Sequence, residues 1–342
     1  MGSHRRLAPS GFDRGALCVL SAAAAALGAV AATAVPAAAA PHEDTRTEVD
    51  RLYEAAEKAT EAFNEAGERA ATLRRQVGDS QDRVARKQER VNVLRERLGA
   101  LAGAQYRSGG IDPSLALLFS EDPADYLDKA SVLDRVTAHQ AGELEDLRHA
   151  LRELNQERAE ATRKLGELEK SREAVGKHKR TVERKLARAR RLLNSLPSAE
   201  RAAYDRASRF GRSDLPGPPG PEGAGAASGR AAAALAAARS ALGRPYVWGA
   251  NGPTGFDCSG LVQWSYARAG VSLPRTSQAQ AHAGRRVPLS QARPGDIVTY
   301  RSDASHVGMY AGNGQVIHAP YPGAPVRYDP VGMMPVSSVT RP

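Results

Sequence analysis

Aromatic side chains are scarce in this sequence, at 5% of 342 residues, with only two tryptophans and five phenylalanines. One globular core of that length needs more large apolar groups. A single large compact domain is therefore excluded, and long helices with one smaller globular unit are expected. Cysteine is scarcer still, since Cys18 and Cys258 are the whole set. Two thiols so far apart, one of them in the leader described next, build no disulfide framework. Beyond residue 40 no run is long and apolar enough to cross a bilayer. Acidic residues fall short of balancing basic ones, 38 against 48, for a net charge of +10. The basic groups alternate with acids rather than forming a block. That argues against nucleic acid as a partner and suits anionic polymers outside a cell.

What is present begins with a leader. "HRR" at His4–Arg6 precedes the apolar run "GALCVLSAAAAALGAVAATAV", which ends in "PAAAAPHED". A basic start, an apolar stretch and a small-residue cleavage site make a secretory signal. Residues 1–40 are expected to be removed after about Ala40, taking Cys18 with them. A retained anchor is the alternative, but the Ala-rich run before such a site favours removal. The mature protein is then expected to be secreted, with Cys258 as its lone thiol.

From Glu43 to Leu101 the sequence follows a heptad. Val49, Ala56, Phe63, Ala70, Val77, Val84, Val91 and Leu98 fall seven apart, and Leu52, Ala59, Ala66, Leu73, Ser80, Lys87, Leu94 and Leu101 follow three later. Ser80 and Lys87 interrupt this seam, and "GDS" at 78–80 marks a weak point. Gly109, Gly110 and Pro113 end the first helix, and "SLALLF" forms an apolar patch. Periodicity resumes with Leu133, Leu144, Leu147, Leu151, Leu154, Ala161, Leu165, Leu168, Val175, Val182, Leu186, Ala189 and Leu193, until Pro197. A short connection favours an antiparallel hairpin over 41–206; a parallel dimer through the first helix is the alternative. "DLPGPPGPEGAGAASGR" reads as a linker over 207–229. A separate domain is expected over 230–342.

In that domain "GFDCSGLVQWSYARAG" places Cys258 in the first turn of a helix ending at Gly270. The positive helix end and its unpaired N–H groups favour thiolate, the nucleophilic form. "SHVGMYAGNGQVIHAP" reads as a hairpin carrying His306 and His318. With a three-residue loop the two histidines would lie opposite each other on one face. His306 would then take the Cys258 proton and His318 would orient His306. A neutral histidine in that third place stabilises the imidazolium less than a carboxylate would. A Cys-His-His zinc site is disfavoured, because no carboxylate or second cysteine accompanies it. No metal and no cofactor are expected. Trp248 reads as a core aromatic, Asp296 as a turn residue, and Asp257 as a helix cap or a substrate contact.

"GRPYVWGANGPTGFDCSGLVQWSYARAGVSLPRTSQAQ", "RPGDIVTY" and "SHVGMYAGNGQVIHA" together resemble the NlpC family of cell-wall cysteine peptidases, over about Arg230–Val331. The resemblance implies a papain-like α+β domain, with the cysteine helix packed on an antiparallel sheet that carries the histidines. It implies that Cys258 is the nucleophile, His306 the base and His318 the third polar residue. Tyr246, Asp257 and Ser259 match substrate-binding positions, and the Cys258 N–H would help form the oxyanion hole. The family cuts peptidoglycan stem peptides, commonly between γ-D-glutamate and a diamino acid. A coiled-coil hairpin ahead of such a domain is similar to exported actinobacterial wall hydrolases and to division hydrolases governed by the FtsE–FtsX membrane complex.

The expectation is thus a long antiparallel coiled-coil hairpin, a linker, and a papain-like D,L-endopeptidase acting on peptidoglycan stems. An N-acetylmuramoyl-L-alanine amidase with the same chemistry is one alternative. A non-catalytic activator of other hydrolases is another. The hairpin or the start of the linker is expected to rest over the cleft near Cys258. An FtsX-like membrane partner would release it by binding around Leu115–Phe119.

Overall fold

The computed structural model describes residues 40–107, 123–209 and 229–342. Nearly all of the leader, the apolar patch around Leu115–Phe119 and most of the Pro/Gly-rich stretch lie outside the described residues. Helix α1 spans Ala40–Arg107 and α2 spans Pro123–Ser195; a short α3, Ser198–Arg209, follows Pro197. The helical part thus runs a little past residue 206. No described helix is long and apolar enough to cross a membrane.

The heptad decides how α1 and α2 meet. Val49, Leu52, Tyr53, Ala56 and Ala59 pack against Val182, Leu186 and Ala189. Leu73 and Val77 meet Leu168, and Val91 and Leu94 meet Ala150 and Leu154. As one helix ascends the other descends, so the pair is antiparallel, with side chains interlocking at a 3.5-residue repeat. Two features differ from the sequence expectation. Helix α1 runs unbroken through Gly78–Ser80, because the polar seam residues are satisfied there rather than left open. Ser80 is fully buried and accepts from Arg83 at 2.7 Å and Lys164 at 3.2 Å, while Arg83 Nε donates to Glu157 at 2.9 Å. The second difference is in α2, where Glu157, Lys164 and Ser171 hold the seam beside Leu154 and Leu168. Leu144 and Leu165 consequently face solvent. Polar seam positions fix register at some expense of stability.

The C-terminal part begins with α4, Gly229–Ser240, and α5, Cys258–Arg268; a short α6, Ser277–Gln280, leads into the sheet. Its six antiparallel strands are β1 Arg285–Val287, β2 Ile297–Tyr300, β3 His306–Gly312, β4 Gln315–His318, β5 Arg327–Pro330 and β6 Val336–Arg341, in the order β1-β6-β2-β3-β4-β5. Alternation along the strands gives one face to the main core, where Ala234, Ala238, Leu261, Val262 and Tyr266 pack on Ile297, Val307, Met309 and Ile317. Tyr266 locks α5 to the loop before β2, its hydroxyl donating to the Gly295 carbonyl at 2.7 Å. This is the α+β architecture expected, with the cysteine helix laid on the sheet that carries the histidines.

Candidate active site

Cys258 is the first residue of α5, and Asp257 is its N-cap, accepting from Gly260 N–H at 2.7 Å. Gly260 is required for this approach, since a Cβ there would lie 2.2 Å from the Ala250 carbonyl oxygen. Asp257 does more than cap. Arg275 grips both its oxygens, at 2.9 and 2.6 Å, and Gly249 N–H donates to it at 2.9 Å. A fully buried carboxylate so held is a structural anchor for the turn that presents the thiol. Tyr246, also buried, lies beside this anchor, and its phenol is raised well above its ordinary pKa by burial and by Cys258 and the neighbouring carboxylates.

His306 opens β3 and His318 closes β4. Their register is not the one a three-residue loop would give. Met309 pairs with Ile317 and Tyr310 with Val316, a bulge follows, and Gly312 pairs with Gln315 around a two-residue turn. Asn313 and Gly314 both have positive φ, 52° and 70°, as that turn requires. The histidines are therefore diagonal rather than opposite, with Gly308 between them. A Cβ on Gly308 would sit 3.1 Å from that of His318. The rings meet edge to face, and His306 Nε2 lies 2.8 Å from His318 Nδ1. His318 Nε2 in turn lies 2.8 Å from Asp329 Oδ2 on β5. Burial, opposed by the Asp329 hydrogen bond, lowers the His318 pKa to about 4.

The cleft is filled by α1. Glu57 Oε1 lies 2.6 Å from His306 Nδ1, and its other oxygen accepts from Arg301 at 2.8 Å. One turn on, Glu61 accepts from Ser259 Oγ at 2.7 Å and Ser277 N–H at 2.8 Å, with the Cys258 thiol 3.7 Å away. Asn64 donates to Asp257 at 3.2 Å. Aromatic pairs flank these contacts. Tyr53 stacks on Tyr321 at 5.2 Å, and Phe63 meets Trp248 edge-on at 5.3 Å. Trp248 is thus a docking residue for α1 as well as a half-buried core aromatic. Asp296 takes the expected structural place, accepting from Arg293 N–H and pairing with Arg341.

This contact changes the electrostatics of the Cys258 thiol. Cys258 sits at a helix start, which favours thiolate, yet burial and then Glu61, Glu57 and Asp257 raise its pKa well above the usual thiol value. The closed arrangement keeps sulfur protonated, opposite to what the helix end alone implies. Burial and Asp257 push Glu61 up to about 7. Burial would raise Glu57 too, but His306 and Arg301 hold it below the ordinary value. A cavity of about 470 Å³ remains beside the relay, lined by Tyr53, Glu57, Arg301, His318, Tyr321 and Asp329, and it stops short of Cys258.

The zinc objection changes as well, because carboxylates do accompany the thiol. Donor atoms of Glu57, Cys258 and His306 lie within 4.8 Å of one another, the one such group among the described residues. Glu57 is already engaged by His306 and by the Arg301 guanidinium, whose charge would face a cation there. Sequence reasoning missed Glu57, Glu61 and Asp329. The glutamates occupy b and f positions, outermost in a free coiled coil, yet are only 3% and 2% exposed. Asp329 lies in a short strand whose register no pattern fixed.

Residues 243–339 match the NlpC/P60 family. A "probable endopeptidase" of Mycobacterium tuberculosis (strain H37Rv) is 52% identical over 95 residues, covering 28% of this chain and 25% of the relative. Another "probable endopeptidase", of Corynebacterium glutamicum, is 50% identical over 105 residues, covering 31% of this chain and 50% of the relative. Among solved structures, the peptidoglycan hydrolase RipB of M. tuberculosis is 35% identical with a TM-score of 0.31, covering 33% of this chain and 64% of that one. The chain thus spans between about a fifth and a half of the length of the curated relatives it matches, and the likeness falls within the C-terminal part.

Proposed function

We propose, from the premise that residues 243–339 form an NlpC/P60 domain, that the chain is an exported peptidoglycan hydrolase held closed by its own hairpin. The observation that carries the chemistry is a thiol at a helix start beside two histidines joined by a 2.8 Å hydrogen bond. Once α1 leaves, His306 Nδ1 takes the Cys258 proton. The thiolate attacks the carbonyl carbon of the stem-peptide amide, and the Cys258 N–H faces the oxyanion. His306 passes the proton to the leaving amine, and water then cleaves the thioester. Tyr246 and Ser259 face the peptide, while Asp257 holds Ser259 and Arg275 in place. The bond assigned is the D,L bond from γ-D-glutamate to the diamino acid. The names of the curated relatives support an endopeptidase. Export rests on the leader, and a wall location on the proposed substrate.

Closure supports the hairpin as a restraint, since Glu57 sits on the base nitrogen and Glu61 beside the nucleophile. An FtsX-like extracellular loop is the proposed release partner, binding around Leu115–Phe119 and favouring the open state over the closed one. A second reading, a non-catalytic activator, draws on the burial of Cys258. Mass spectrometry of a purified wall digest decides among these. Stems split after glutamate by the wild type and untouched by Cys258→Ala are expected. Release of whole stems would make the enzyme an amidase, and no product from an opened chain would leave the activator. Activity is expected to survive a chelator and to be lost on iodoacetamide labelling of Cys258. Loss with EDTA and recovery with zinc would overturn thiol chemistry.

A further inference from the structure

One buried carboxylate stands behind the relay. Asp329 is 8% exposed, and its Oδ2 receives both His318 Nε2 and Arg327 Nε at 2.8 Å. The strand register explains the meeting. Arg327 lies directly across from His318 and Asp329 across from Val316, so both project from the His318 face. Four groups form a line, with Glu57 2.6 Å from His306, His306 2.8 Å from His318, and His318 2.8 Å from Asp329.

Counting protons along this line assigns the roles. A neutral imidazole carries one ring proton, and an ionised carboxylate only accepts. Three hydrogen bonds need three protons on two rings. The closed histidine pair therefore carries one positive charge between two carboxylates. When Glu57 leaves, two protons suffice, and their placement depends on the far end. With Asp329 accepting, His318 keeps its proton on Nε2 and offers Nδ1 as a lone pair. His306 then puts its proton on Nε2, and its Nδ1 is bare toward the thiol. Without that carboxylate the polarity can reverse. His318 Nδ1 would donate, His306 would carry its proton on Nδ1, and a protonated Nδ1 takes nothing from Cys258.

We infer that Asp329 is a positioning residue for hydrolysis, fixing the proton polarity of the His306–His318 relay so that His306 presents an unprotonated Nδ1 to Cys258. This rests on reading the domain as a thiol hydrolase. Asp329 also supplies the carboxylate that a Cys-His-His set lacks. The environment fits the role. Burial would raise Asp329, but the His318 hydrogen bond and Arg327 keep it below the ordinary carboxylate value. The lowered pKa of His318, about 4, keeps that ring neutral near pH 7. Arg327 pins the shared oxygen, so Asp329→Asn can still present an acceptor there.

The test is selective ¹⁵N-histidine labelling of the whole chain, in which eight histidines give a readable spectrum. His318 is assigned by its loss in His318→Asn. His318 should carry a proton on Nε2 in the wild type and in Asp329→Asn, and on Nδ1 in Asp329→Ala. In chains opened by Phe63→Ala, Asp329→Ala should lower kcat on the order of 10²-fold with KM nearly unchanged, and Asp329→Asn should recover most of it. A purely structural ion pair with Arg327 would instead change stability and leave the tautomer alone. A wild-type His318 protonated on Nδ1, or a tautomer unmoved in Asp329→Ala, would overturn the inference. The expected tautomers in an opened chain that cleaves no stem peptide would uphold Asp329's placement of the proton and sink the hydrolase reading.

Discussion

Glu61 is a carboxylate whose proton is worth different amounts in two states. Closed, it is buried against Asp257 and Cys258, with Arg275, Ser259 and Ser277 also facing it, and its pKa is about 7. Released, it returns to the outer face of α1 and an ordinary value near 4.5. Closure therefore takes up a proton between those values. The stabilisation it gives is complete below about 4.5 and is lost as pH rises through about 7. Glu57 acts in the other direction, its lowered value weakening closure only in stronger acid. Opening should release Trp248 from Phe63, so its fluorescence should titrate near pH 7 in the wild type, and Glu61→Gln should remove the Glu61 share of that change, leaving only the proton held by the histidine pair linked to closure. A signal constant from pH 5 to 8, or unaltered by the substitution, would refute the linkage. At this scale the meeting of Cys258, His306 and His318 was legible because cysteine and histidine are rare here and locally patterned. Glu57, Glu61 and Asp329 were not, since a carboxylate on a coil's outer face or a strand edge looks solvated until its neighbour is known.

Among the elements, α1 serves two surfaces. Most of its a and d residues meet α2, while outer positions, joined by the a residue Phe63, cover the cleft. Heptad spacing made the first surface readable and hid the second, because b and f residues are free to vary in an isolated coil. The α2 seam was misread for a related reason. Leucine alone does not mark the seam when Glu157, Lys164 and Ser171 find partners in it. Strand pairing was legible as a hairpin but not in register, since the bulge after Tyr310 moves the histidines from opposite to diagonal. The aromatic docking pairs offer a clean test of the cover. An edge-on pair contributes roughly 0.5–1.5 kcal/mol beyond its area. Losing Phe63 should therefore raise the open fraction by roughly two- to tenfold, since about 1.4 kcal/mol is one decade. Phe63→Ala should accelerate iodoacetamide labelling of Cys258 by that factor. An unchanged rate would mean that the aromatic contact does not hold α1 down.

For the whole molecule, the two parts have separate cores. The C-terminal core runs from Ala234 to Val326 and contains no hairpin residue, so residues 229–342 can retain their fold when α1 is removed. If the closed state restrains activity, this fragment should hydrolyse a soluble stem peptide faster than residues 41–342. The gain should be about tenfold for each 1.4 kcal/mol by which closed outweighs open. Equal initial rates would leave the hairpin as a localising arm.

The length of α1 has a mechanical consequence. The residues that cover the cleft lie in the first half of a 68-residue helix, and its far end at Arg107 is about 70 Å from Glu61, at ~1.5 Å per residue. The antiparallel partner stiffens that span and returns beside the same domain. A sideways pull at the distal end then acts through a long arm on a fulcrum close to the active site. A weak force applied there would become a large torque on the Glu57 and Glu61 contacts, over a much smaller displacement. Removing matched heptads from both helices should leave the Cys258 labelling rate low at rest while raising the tension needed to open the cleft.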